Sequence, residues 1–132
     1  MNDQPNQPMN LQETIDAVRQ WGVSKGITGP QGKGTLLGQL SKTAEELTET
    51  RDAAVKAMLA ASLHDTENIG PATWNQAQDE LIDGLGDVFV TIILAAEMAG
   101  LRIEDCLAAA YDEIKGRTGK MEGGVFVKDS AP

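Results

Sequence analysis

Cysteine, histidine and aromatic side chains are almost missing from this chain. Cys106 is the single cysteine among 132 residues, so no intramolecular disulfide can form and a zinc thiolate cluster is excluded. It reads as a small apolar residue on a helix. His64 is the single histidine, has no cysteine or histidine to share a metal with, and reads as a surface residue in a connection. Aromatics make up 4% of the chain, while alanine, leucine and methionine are plentiful, a balance that favours helix packing over β-structure. Long apolar runs are also lacking: the stretch from Val88 to Ala99 is short for a membrane span and is broken by Thr91 and Glu97. Residues 1–10 are polar, with Pro5 and Pro8, and hold no apolar signal core. The expectation is a soluble, cytoplasmic chain with no membrane partner. Positive charge is scarce as well. Eleven lysines and arginines face 20 acids, for a net charge of −9, which argues against nucleic acid as a partner. A small anionic substrate remains compatible if metal ions screen the local charge.

What is present points to one domain. The chain is 41% hydrophobic with no internal repeat, the size of a single unit able to bury a core of its own. Residues 1–9 read as a flexible segment, 10–118 as an all-α domain, and 119–132 as a tail that packs on the domain or on a neighbouring subunit. Within the domain the spacing predicts four helices. The first runs from Asn10, a capping residue, to about Gly26. Residues 26–34, with four glycines and Pro30, form a loop. A long second helix spans about 35–63, and a third starts at Trp74 behind a Thr73 cap and ends before Gly100. A fourth runs from Ile103 to about Gly116. The tail, with Gly123-Gly124 ahead of Val125-Phe126-Val127, offers too little for an independent sheet. The fold class is therefore an all-α, four-to-five-helix bundle that assembles through helical interfaces.

The chemistry sits on two acidic clusters. On the third helix Glu80, Asp83 and Asp87 fall within an arc of about 60° at 100° per residue. No base follows them until Arg102. Like charges at this spacing repel, so a cation is expected among them, and carboxylate oxygens suit a hard divalent ion. Gly84 and Gly86 interrupt the same helix, a cost accepted where a backbone or a ligand comes close. On the second helix Glu46 and Glu49 share a face, with Glu45 beside Glu49. Two antiparallel helices that oppose these clusters gather five or six carboxylates in one pocket, a donor set for Mg²⁺ or Mn²⁺ and not for zinc.

The ordered set Glu45-Glu46-x-x-Glu49, then Glu80-x-x-Asp83-x-x-x-Asp87, resembles the MazG family of all-α nucleoside triphosphate pyrophosphohydrolases. The likeness extends over about residues 11–128 and includes Gln39-x-x-Lys42 and the run Tyr111-Asp112-Glu113-Ile114-Lys115-Gly116-Arg117. The ending from Arg117 to Lys128 is similar to phage-type members. The resemblance implies Mg²⁺-dependent hydrolysis of a (d)NTP to the monophosphate and pyrophosphate, with two or three ions per site and Mn²⁺ able to substitute. It also implies a homodimer or homotetramer with shared active sites. By position Glu46, Glu49 and Asp87 are the leading metal ligands, and Glu45 is a ligand or the base. The family carries an acid three residues before Asp87 where this chain has Gly84, so Glu80 or Asp83 takes that place. Asp112 stands where many relatives have asparagine.

Glu45 and Glu49 are the candidate proton acceptors for an attacking water. Lys42, Lys115, Arg117 and Lys128 would neutralise phosphate charge, and Trp21 with Gln39 would offer the base a flat surface and a hydrogen bond. Asp112 completes the candidate substrate contacts. One phage branch, the MazZ type, which acts on (d)GTP, resembles this chain, so (d)GTP is the favoured substrate and control of the nucleotide pool, in the host cytoplasm if phage-encoded, the expected role. The competing expectations are a pyrophosphohydrolase of broad or pyrimidine preference, a metal-binding regulator that holds nucleotide without cleaving it, and a non-catalytic acidic module, whose Glu46, Glu49 and Asp87 would point to solvent on separate faces.

Overall fold

The computed structural model describes residues 7–65 and 70–130. Helix α1 spans Leu11–Ser24, α2 Leu36–Asp65, α3 Pro71–Met98 and α4 Ile103–Ile114, followed by strands β1 (Gly119–Glu122) and β2 (Val125–Lys128). The expected all-α character holds for the body of the chain. Among the described residues no single helix is long and apolar enough to cross a membrane; α3 and α4 reach that length only as a pair bent by 103°.

Each helix end has a local cause. Asn10 caps α1: its side chain accepts from the Glu13 N–H at 2.9 Å and donates to the Glu13 carboxylate at 2.8 Å. Beyond Lys25, Gly26 turns the chain at φ +73°. The loop that follows folds back on α1, with the Ile27 N–H donating to the Gly22 carbonyl at 2.9 Å. Thr35 caps α2 through the Gly38 N–H at 3.1 Å. Two expected boundaries are corrected. The third helix begins at Pro71, not Trp74, because Gly70 is its cap residue and proline suits the first helical turn, which leaves Thr73 inside the helix. His64, expected in a connection, lies in the last turn of α2 and stacks on Trp74, ring centres 5.2 Å apart.

Helices α2 and α3 form a long antiparallel pair. Gln39 reaches the Thr91 carbonyl, Thr50 lies against Gly84, Ala57 and Ala60 cluster with Ala77, and His64 meets Trp74. As numbers rise along α2 they fall along α3. The contact line is made of small residues, so the axes approach closely. At Gly84 a Cβ would come within 2.8 Å of the Thr50 hydroxyl, whereas Gly86 meets nothing within 4 Å. Of the two glycines in α3, only Gly84 has a close neighbour. Gly84→Val is therefore expected to lower stability by about 1–3 kcal/mol through overpacking, while Gly86→Ala raises it by about 0.5–1 kcal/mol by relieving a helical glycine. Denaturant melts of the two variants check the contrast.

Helices α1 and α4 pack on α3 and are joined by Arg19. Its guanidinium pairs with Glu97 of α3 at 2.7 Å, with Asp16 at 2.9 Å and with Glu104 of α4. Gln12 adds a 2.9 Å bond to Glu104.

Two further expectations change. The tail is a β-hairpin, with Lys120 opposite Val127 and Met121 opposite Phe126. Gly123 and Gly124 both have positive φ (57° and 83°), the conformation a two-residue hairpin turn demands. Among the described residues neither strand packs on a helix, so the tail does not lie on the domain of its own chain. The core is thin. Apart from Ile15, Ile93 and Leu94, its apolar members are alanines, and no large side chain among the described residues is fully buried. Most leucines of α2 are exposed, so the chain buries less of a core alone than its composition promised.

Candidate functional site

The α2/α3 pair builds the site because its small contact residues leave room between flanking long side chains. Ala53 and Gly84 lie among the acids of one cleft of about 340 Å³. Glu46, Glu49 and Asp52 line it from α2, Glu80, Asp83 and Asp87 from α3, and Lys56 is the cation between them. Six carboxylates thus share one cleft with a single ammonium. At its edge Lys42 pairs with Glu46 at 3.2 Å and with Glu45 at 3.4 Å. The two carboxylates, Glu46 foremost, hold the lysine above its ordinary pKa. Gln76 donates to Glu80 at 3.4 Å.

Five of the six expected metal ligands, Glu46, Glu49, Glu80, Asp83 and Asp87, line this cleft. Glu45 does not: it stays exposed beside Lys42. Asp52 takes the remaining place. Among the described residues no three His, Cys, Asp or Glu side chains stand close enough to form a group that could hold a metal ion. The carboxylates line the walls without meeting at a point.

Next to the cleft runs an apolar groove of about 390 Å³ between α1 and α3. Asp83 and Asp87 line both, and Val18, Ile82 and Phe89 supply the groove's apolar surface. This groove was not read from the sequence, because it is formed by two helices far apart in the chain. Asp52 and Lys56 were missed too, although they stand three and seven residues beyond Glu49 and so continue its face.

The other expected substrate residues lie elsewhere. Asp112, Lys115 and Arg117 gather with Lys128 in a separate cleft between the end of α4 and the hairpin. There Lys115 pairs with Asp112 at 3.0 Å and Arg117 with Glu113 at 3.5 Å. Trp21 is exposed on α1 and lines neither the acidic cleft nor the groove. Gln39 spends its amide on the Thr91 carbonyl, 3.4 Å away, as a tie between α2 and α3. Comparison with protein-family models, with curated proteins and with solved structures finds no match to this chain.

Proposed function

We propose that this chain is a Mg²⁺-dependent pyrophosphohydrolase that cleaves a (d)NTP to the (d)NMP and pyrophosphate, with (d)GTP the favoured substrate and the nucleotide pool its place of action. One observation carries the reading: six carboxylates from two helices line a single cleft that shares Asp83 and Asp87 with an apolar groove. An acidic interaction module needs no cleft shared between two helices, whereas a polyphosphate site does. The donor set consists of oxygens alone, which fits Mg²⁺ or Mn²⁺. Glu46, Glu49 and Asp87, with Asp83 or Glu80, would hold the ions by side-chain rotation from fixed walls. Bound Mg²⁺ would screen the phosphates and lower the pKa of a water.

The protein's own part follows from position. Glu49 accepts the proton of the attacking water, since Glu45 lies outside the cleft. Lys56 meets phosphate oxygens within the cleft and Lys42 does so from its edge. The base lies along Phe89, Val18 and Ile82 in the groove, which displaces Trp21 from that role. Lys115 and Arg117 would serve the phosphates bound by a neighbouring copy in a shared-site dimer or tetramer, with Asp112 a substrate contact beside them.

Incubating the full chain with each dNTP and GTP, in Mg²⁺, Mn²⁺ or EDTA, and resolving products by anion exchange tests this. Monophosphate and pyrophosphate should appear with either metal and not with EDTA, fastest from dGTP or GTP. Release of single phosphates, or no turnover of any substrate, would overturn the reading.

A further inference from the structure

Carboxylates on two walls can share an ion only if the walls stand at the right distance, and that distance is set where α2 and α3 touch beside the cleft. Gly84 stands one residue after Asp83 and three before Asp87, and Thr50 stands one after Glu49 and two before Asp52. The two face each other. A Cβ at Gly84 would come within 2.8 Å of the Thr50 hydroxyl oxygen and 3.3 Å of its Cα, so nothing larger than hydrogen fits there without a shift.

Thr50 is poorly placed to give way. It is 6% exposed, and its hydroxyl donates to the Glu46 carbonyl at 2.7 Å, so turning it aside would leave a buried hydroxyl without its acceptor. A β-branched side chain on a helix is also stiff about χ1. A side chain at position 84 would therefore move the helix rather than the threonine.

The size of that movement bears on the choice of ion. Taking the nearest contact from 2.8 Å to an ordinary separation of about 3.4 Å needs roughly 0.6 Å. Mg²⁺ binds oxygen at about 2.0–2.1 Å and Ca²⁺ at about 2.3–2.6 Å, so an ion held from both walls asks for a cleft about 0.4–1.2 Å wider when it is Ca²⁺. The two figures overlap.

We infer that Gly84, closed against Thr50, is a positioning residue that keeps the cleft narrow enough for Mg²⁺ and disfavours the larger Ca²⁺. The inference rests on the metal reading of the cleft and adds to it the discrimination between ions. Gly84 has no side chain to ligate with; it acts through the spacing of Glu46 and Glu49 on one wall from Asp83 and Asp87 on the other. Gly86, two residues on in the same helix, meets nothing within 4 Å and is the matched contrast.

Mn²⁺ binding followed by electron paramagnetic resonance, with Mg²⁺ and Ca²⁺ as competitors, tests this on the full chain free of nucleotide. Circular dichroism checks that each variant is folded. Gly84→Ala should weaken Mg²⁺ by about tenfold and Ca²⁺ by less than about threefold, while Gly86→Ala should keep the parent's ratio. Adding Thr50→Ala to Gly84→Ala removes the atom in the way and should recover most of the ratio. A general loss of stability would lower both affinities together, so the ratio separates positioning from folding. Thr50→Val, which sets a methyl where the hydroxyl stands, should shift the ratio in the same direction and carries the test if Gly84→Ala does not fold. A parent that binds none of the three ions overturns the nucleotide reading together with this one. A parent that binds them, with the ratio unchanged in folded Gly84→Ala or in Thr50→Val, overturns this inference alone, as does a shift that Thr50→Ala fails to reverse.

Discussion

Pyrophosphate release from dGTP is expected to fall by about 100- to 1,000-fold when Glu49 or Asp87 is replaced by alanine, the loss typical of removing one electrostatic anchor of a reaction. The two residues come from opposite walls of the cleft, so equal losses would show that both walls act on one substrate. Both side chains are exposed, and exposed substitutions seldom change stability by more than about 0.5 kcal/mol. A loss of turnover would therefore report on chemistry and not on folding. Glu45→Ala is the matched control: the residue is next to Glu46 but outside the cleft, and its removal should leave turnover within about threefold. If Glu45→Ala proves as damaging as Glu49→Ala, the choice of Glu49 as proton acceptor is wrong.

Arg19→Ala is expected to cost about 2–3 kcal/mol of stability, which for a chain of this length lowers the melting temperature by roughly 10 °C. Its side chain is only 13% exposed and binds acids on α1, α3 and α4 at once. Removing it takes the guanidinium from the half-buried Glu97 and leaves Glu104 to Arg102 and Gln12 alone, each 2.9 Å away. The same cluster sets a pH dependence. Arg19 first, and Gln12 after it, hold the Glu104 carboxyl well below its ordinary 4.5. A group whose pKa is depressed by folding contributes stability above its unfolded value and loses it as pH falls toward the folded one. The parent should therefore lose this contribution progressively as pH falls below about 4.5, and Arg19→Ala should show a shallower acid slope. Urea melts from pH 7 to pH 3 give both slopes, and parallel slopes would mean that Arg19 does not govern Glu104.

The helices and the faces of the two acidic clusters were legible because both rest on a short, repeating rule, the 3.6-residue period, which acts on neighbours in sequence. What escaped depends on other things. Glu45 and Glu46 look equivalent in a string of letters, and only the folded chain shows that Glu46 lines the cleft while Glu45 stays beside Lys42 outside it. Asp52 and Lys56 continue the stripe of Glu49, but they stand beyond the clustered glutamates that draw the eye. The groove beside Asp83 and Asp87 needs α1 to lie on α3, a long-range fact that no local pattern carries. The hairpin was hidden by its brevity: four-residue strands have little alternation to detect, and the signal was the Gly123-Gly124 pair, whose two left-handed positions close a turn that most side chains resist.

That hairpin has one more implication. A sheet of two strands is all edge, so β1 and β2 each present a row of backbone amides and carbonyls that no third strand among the described residues receives. With Phe126 and Met121 side by side on one face and, among the described residues, no helix packed behind them, an uncharged ribbon of this kind would recruit further ribbons and grow into fibres. Lys120, Glu122 and Lys128 put a charge at three of its eight positions, and charges on an edge strand are a means of opposing such growth.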